Sequence, residues 1–84
     1  MNMHQENERI TDEVHAVFRE VLNLDPSFEL TSLKYGESEE FDSLAFMEIV
    51  VNLELILGLT FEADNLKSLR TIQDFVNYVL QTKK

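Results

Sequence analysis

Phe41-Asp42-Ser43-Leu44-Ala45-Phe46-Met47-Glu48-Ile49-Val50-Val51-Asn52-Leu53-Glu54-Leu55-Ile56-Leu57-Gly58 is the stretch on which the fold turns. A polar approach gives way at Leu44 to a long apolar block that stops at a glycine. Ile49, Val50 and Val51 taken alone favour a strand, but the block is longer than ordinary strands. Gly58 is the residue type that best closes a helix in the left-handed conformation, so the block predicts a helix over 44–57.

Outward from this helix, Ile10, Val14, Val17, Phe18, Val21 and Leu22 recur at spacings of three and four and predict an amphipathic helix over 8–22. Pro26 forbids its continuation, and the polar stretch to Phe41 reads as a long loop. Loops of this length are usually pinned or functional, and Phe28, Leu30, Leu33 and Tyr35 are the candidate pins. Beyond Gly58, a short helix is expected near 64–68. A final amphipathic helix follows, carried by Ile72, Phe75, Val76, Val79 and Leu80, with Thr71 as N-cap and Asp74 three residues on. Lys83 and Lys84 stand at its C-terminal end, where they suit the helix dipole. The expected fold is all-α: a four-helix bundle with a long loop between helices one and two and a short third helix. It occupies one domain, 1–84, with 1–7 as a flexible leader.

Composition narrows the function. The 84 residues, 44% hydrophobic and 27% charged, allow one modest core and little room for an enclosed active site. The net charge of -9 repels phosphate backbones and anionic headgroups, which disfavours nucleic acid and membrane surfaces as partners. Residues 1–42 hold 11 acids and 3 bases, residues 43–84 only 5 and 4, so either basic protein surfaces are the counterparts of the first half or the acidity serves only to keep a small domain soluble. There is no Cys, no secretory h-region and no apolar run of membrane-spanning length; a cytoplasmic monomer is expected. His4 and His15 have no thiol partner and no spacing that suggests a metal or a nucleophile with its base. Glu37, Glu39, Glu40 and Asp42 lack the alternating pattern and central Gly of a calcium loop. No catalytic residue and no metal ligand is expected.

What remains is Asp42-Ser43-Leu44 immediately before the apolar helix. Asp42 or Ser43 is a candidate N-cap. A helix N-terminus also presents free N–H groups and a positive dipole end, which would stabilise a phosphodiester on the Ser43 hydroxyl.

Phe41-Asp42-Ser43-Leu44, the helix containing Glu48, Leu57-Gly58-Leu59-Thr60-Phe61, Asn65-Leu66 and Ile72-Gln73-Asp74-Phe75-Val76 fall in the order seen in acyl carrier proteins, and the chain resembles that family along nearly its whole length. The resemblance implies an acyl-carrier-like bundle without catalysis of its own, a phosphopantetheinyl transferase that attaches 4'-phosphopantetheine from coenzyme A to Ser43, and a thioester carried on that arm. It implies that Asp42 and Leu44 flank the arm, and that Glu48 and Glu54 match acidic docking positions. The implied partners are the transferase, an acyl-loading enzyme, and ketosynthase or acyltransferase type enzymes of fatty-acid, lipid or polyketide-type biosynthesis. A peptidyl carrier for amino acids and an unmodified acidic helical adaptor are the alternatives.

The departures are informative. Glu40-Phe41 stands where the family has a small Gly-Ala or Gly-Phe approach, and Ala45, Leu55 and Ile56 stand where relatives tend to have acids. Acidic docking thins on helix two and thickens at Glu37, Glu39 and Glu40, which suggests a specialised carrier. Helix two also bears two apolar stripes, Leu44, Met47, Val51, Leu55 and Phe46, Val50, Leu53, Leu57. One can face the core; the other, with Ile49 and Ile56, either lines the space between helices or stays exposed. Leu55 and Ile56 are expected exposed, as a hydrophobic contact for a partner enzyme.

Overall fold

In a computed structural model of the chain, which describes the backbone over residues 3–82 and side chains over 5–82, the element order is α1 (Met3–Leu22), α2 (Ser43–Leu57), α3 (Ala63–Leu66) and α4 (Ile72–Thr82). One turn of 3-10 helix, Leu30–Ser32, interrupts the long loop, and there is no strand among the described residues. The all-α architecture, the long first loop and the short third helix are those expected. Boundaries shift. α1 starts at Met3, so the expected leader is helical from residue 3, with Arg9 bridging Glu6 and Glu13 at 2.7 and 3.0 Å along its exposed face. α3 begins and ends earlier than 64–68. Lys83 and Lys84 lie outside the described residues.

α1 stops where Asn23 takes a left-handed conformation (φ 53°), and the N–H of Leu24 returns to the Arg19 carbonyl at 3.1 Å. Arg19 then holds the descending chain, donating to the carbonyls of Asp25 (3.0 Å) and Phe28 (3.2 Å). Leu30 and Leu33 are buried, while Phe28 and Tyr35 are half-buried against the same core, so all four expected pins reach it.

α2 ends at Gly58, whose φ of 66° and ψ of 39° place it in the left-handed region that favours glycine. The next turn is tied back to the helix: the Glu54 carboxylate accepts the Phe61 N–H at 2.9 Å. α4 begins in a reciprocal cap, where the Thr71 hydroxyl accepts the Asp74 N–H (3.2 Å) and the Asp74 carboxylate accepts the Thr71 N–H (3.1 Å).

α1 packs against both α2 and α4. Ile10, Val14, Val17 and Phe18 meet Ile49, Val50 and Leu53 of α2 and Ile72, Phe75, Val76 and Val79 of α4 in one core. Its centre is aromatic. Phe18 lies edge-on to Phe41 (5.4 Å) and to Phe75 (5.2 Å), and Phe41 stacks on Phe46 at 5.9 Å. Phe41 is fully buried, so the residue before Asp42 anchors the loop's end and sets where α2 begins.

Candidate functional site

The Phe41 anchor delivers Asp42 in extended conformation (φ -90°, ψ -176°), and its carboxylate accepts the Ala45 N–H at 2.9 Å. Asp42 is therefore the N-cap of α2, and its carbonyl also accepts the Phe46 N–H at 2.9 Å. Of the two candidate caps, the structure uses Asp42. Ser43 becomes the first helical residue, exposed, with its hydroxyl free of capping duty at the positive end of the α2 dipole.

The Ser43 hydroxyl meets the Tyr35 phenol at 3.2 Å between oxygens. The sequence marks Tyr35 only as a loop pin. The contact depends on a turn that returns the chain over residues 34–41: Gly36 takes φ 88°, Ser38 Oγ accepts the Lys34 N–H (3.0 Å), and the Phe41 N–H reaches the Ser38 carbonyl (3.0 Å). The turn encloses an open hollow of about 370 Å³ beside Ser43, walled by Tyr35, Gly36, Glu37, Ser38, Glu39 and Phe41.

The other expected site residues fall into three places. Glu37, Glu39 and Glu40 are exposed on the turn, with Glu37 and Glu39 lining the hollow. Leu44 (69% exposed) and Glu48 continue from Ser43 along the solvent face of α2. Leu55 (78% exposed) and Ile56 (56%) lie at the far end of that helix, about 18 Å along its axis from Ser43 at the ordinary rise per residue. Glu54 is half-buried and engaged by the Phe61 N–H, so its carboxylate holds the α2–α3 turn. Of the two apolar stripes, Phe46, Val50, Leu53 and Leu57 enter the core, whereas Leu44, Met47, Val51 and Leu55 face outward. Ile49 joins the first and Ile56 the second.

Among the described residues, no cluster of His, Asp or Glu is arranged to hold a metal ion, and no helix is long and apolar enough to cross a membrane. The fold and the site together define a small helical bundle that presents an exposed serine at the head of an apolar second helix.

The family model described as "Phosphopantetheine attachment site" matches residues 12–79. The acyl carrier protein of Kocuria rhizophila is 31% identical over 72 residues, covering 81% of this chain and 89% of the relative. That of Thermobifida fusca is 36% identical over 55 residues (64% and 70%), and that of Rhodococcus erythropolis 31% over 72 residues (86% and 79%). No solved structure matches the chain significantly. The chain belongs to the acyl carrier protein family, whose members are non-catalytic and carry covalent 4'-phosphopantetheine. The residues present suit such a group: a primary hydroxyl open to solvent, a helix N-terminus that offsets a phosphodiester's charge, and a phenol beside it. The nearby carboxylates of Glu37, Glu39 and Asp42 would oppose that charge.

Proposed function

We propose that Ser43 is the attachment residue and that this chain carries acyl groups as thioesters on its arm for fatty-acid, lipid or polyketide-type biosynthetic enzymes of the cytoplasm. The observation that carries the reading is the division of labour at the head of α2: Asp42 caps the helix and leaves the Ser43 hydroxyl exposed and available. Attachment needs only that hydroxyl from this chain. Its oxygen bonds to a phosphorus of coenzyme A, the bond to the departing nucleotide bisphosphate breaks, and the hydroxyl proton passes to the transferase. The arm's thiol supplies the thioester; the protein's own residues hold the serine outward and present surfaces to partner enzymes. Glu37, Glu39, Glu40 and Glu48 are the acidic docking residues in this reading, Asp42 and Leu44 flank the arm, and Leu55 and Ile56 add an apolar contact at the far end of α2. Apolar side chains on that exposed face, with the acids shifted into the preceding turn, support a specialised carrier over a general one.

Incubation with coenzyme A and a broad-specificity phosphopantetheinyl transferase, followed by mass spectrometry of the intact protein and its peptides, tests the reading. One phosphopantetheine on Ser43, and none on Ser43→Ala, is the expected result. Modification at Ser38, or none on the parent protein, would overturn it.

A further inference from the structure

We infer that Tyr35 is a positioning residue for the arm: its phenol orients the Ser43 hydroxyl before attachment and donates a hydrogen bond to the phosphodiester afterwards. The inference rests on the attachment at Ser43 proposed above and names a contact that the motif does not contain.

Tyr35 is held by its backbone and by its ring. Its N–H donates to the Arg70 carbonyl at 2.8 Å, tying the loop to the segment before α4. Its ring lies 4.5 Å from that of Phe46 and 5.5 Å from that of Phe41, and the Arg70 guanidinium sits over it at 5.7 Å from the ring centre. A ring clamped in this way keeps its hydroxyl at one place, 3.2 Å from Ser43 Oγ.

The consequence follows from counting hydrogens. With Ser43 unmodified, either hydroxyl can donate to the other. Once Ser43 Oγ is esterified to phosphorus it carries no hydrogen, so Tyr35 can act only as donor. The neighbouring acceptors are then phosphoryl oxygens bearing negative charge, and hydrogen bonds to ionised acceptors are shorter and about twice as strong as neutral ones. The contact therefore strengthens on attachment, and it draws the phosphate toward the 34–41 turn and its hollow and away from the apolar face of α2. In a site walled by Glu37 and Glu39, a fixed neutral donor also orients the anion without adding charge that a basic partner would have to face.

The test uses the full chain labelled throughout with 3-fluorotyrosine, which places probes at Tyr35 and Tyr78, and a Tyr78→Phe sample to assign them. Tyr78 donates to the Thr60 carbonyl and stacks on Phe61, away from Ser43, and serves as the internal control. Mass spectrometry first records attachment at Ser43. The Tyr35 fluorine resonance should then shift while that of Tyr78 stays, and the phosphorus resonance of the modified parent should differ from that of modified Tyr35→Phe. Tyr35→Phe keeps the ring, so its backbone amide spectrum over α2 should match the parent's. A Tyr35 signal unmoved by attachment, or a phosphorus resonance identical in parent and Tyr35→Phe, overturns the inference while leaving the carrier reading intact. A phosphorus change accompanied by general displacement of α2 amides also overturns it, by assigning Tyr35 a packing role. Failure of Ser43 to gain mass overturns the carrier reading, and this inference with it.

Discussion

Asp42 accepts the Ala45 N–H, so the first turn of α2 does not depend on the Ser43 hydroxyl. Asp42→Ala should therefore lower stability by about 1 kcal/mol, roughly 4 to 8 °C in Tm for a domain of this size. Ser43→Ala should stay within about 0.5 kcal/mol of the parent. Urea melts of the two variants check this; equal losses would return the capping role to Ser43. The sequence left the two candidates open because Asp and Ser are both good caps and one residue of register separates them. The register is set by Phe41, whose burial among Phe18, Phe46 and Phe75 fixes where the extended chain turns into helix. A large aromatic closing the polar run 36–40 was the available signal for that anchor. The Tyr35 contact with Ser43 had no comparable signal, because eight residues of irregular chain separate them.

The start of α4 is an element whose stability titrates. The Asp74 carboxyl lies below its ordinary value of 3.8, chiefly because its carboxylate accepts the Arg70 N–H at 2.9 Å; partial burial opposes this, and the Thr71 N–H adds to it. A depressed native pKa means that this contribution is whole above pH 3.8 and is lost as pH falls through the lower native value. Asp25, lowered mainly by the Ser27 hydroxyl at 2.6 Å, behaves in the same sense. Asp74→Asn should thus be less stable than the parent by a steady margin from neutrality down to about pH 4, and approach it as pH falls further. Thermal melts across that range check it, and parallel curves would remove Asp74 from the acid response.

On α2 the outward stripe makes a different prediction. Leu55 and Ile56 are exposed, so replacing both with Glu should cost less than about 1 kcal/mol while impairing turnover by a partner enzyme. A loss of several kcal/mol, the scale of core truncations, would show them packed. Periodicity found both stripes of α2. It could not say which one faced inward, since that depends on where α1 lies.

At the scale of the whole molecule, charge is the property most open to test. Glu37, Glu39 and Glu40 stand exposed beside Ser43, in the half of the chain that holds 11 of the 16 acids. Replacing all three with Gln should slow association with a basic partner at low salt and leave Tm nearly unchanged, because exposed charges act over about 8 Å at physiological ionic strength. Stopped-flow association rates over a salt series check this, and equal rates at low salt would remove the turn from the docking surface.

The sequence by itself determined the helix count, the long loop, the caps at Thr71 and Gly58, and the serine at the head of α2. These depend on spacings of three and four, on residues that start or stop a helix, and on a contiguous motif, all local properties of the chain. Only the tertiary structure decided that Asp42 caps and Ser43 does not, that Glu54 holds a turn, that Tyr35 meets Ser43, and that Leu44, Met47 and Val51 face solvent. Each of those outcomes depends on how the loop returns across the bundle and which side of α2 the α1 helix covers, and such packing between distant segments leaves no periodicity to read.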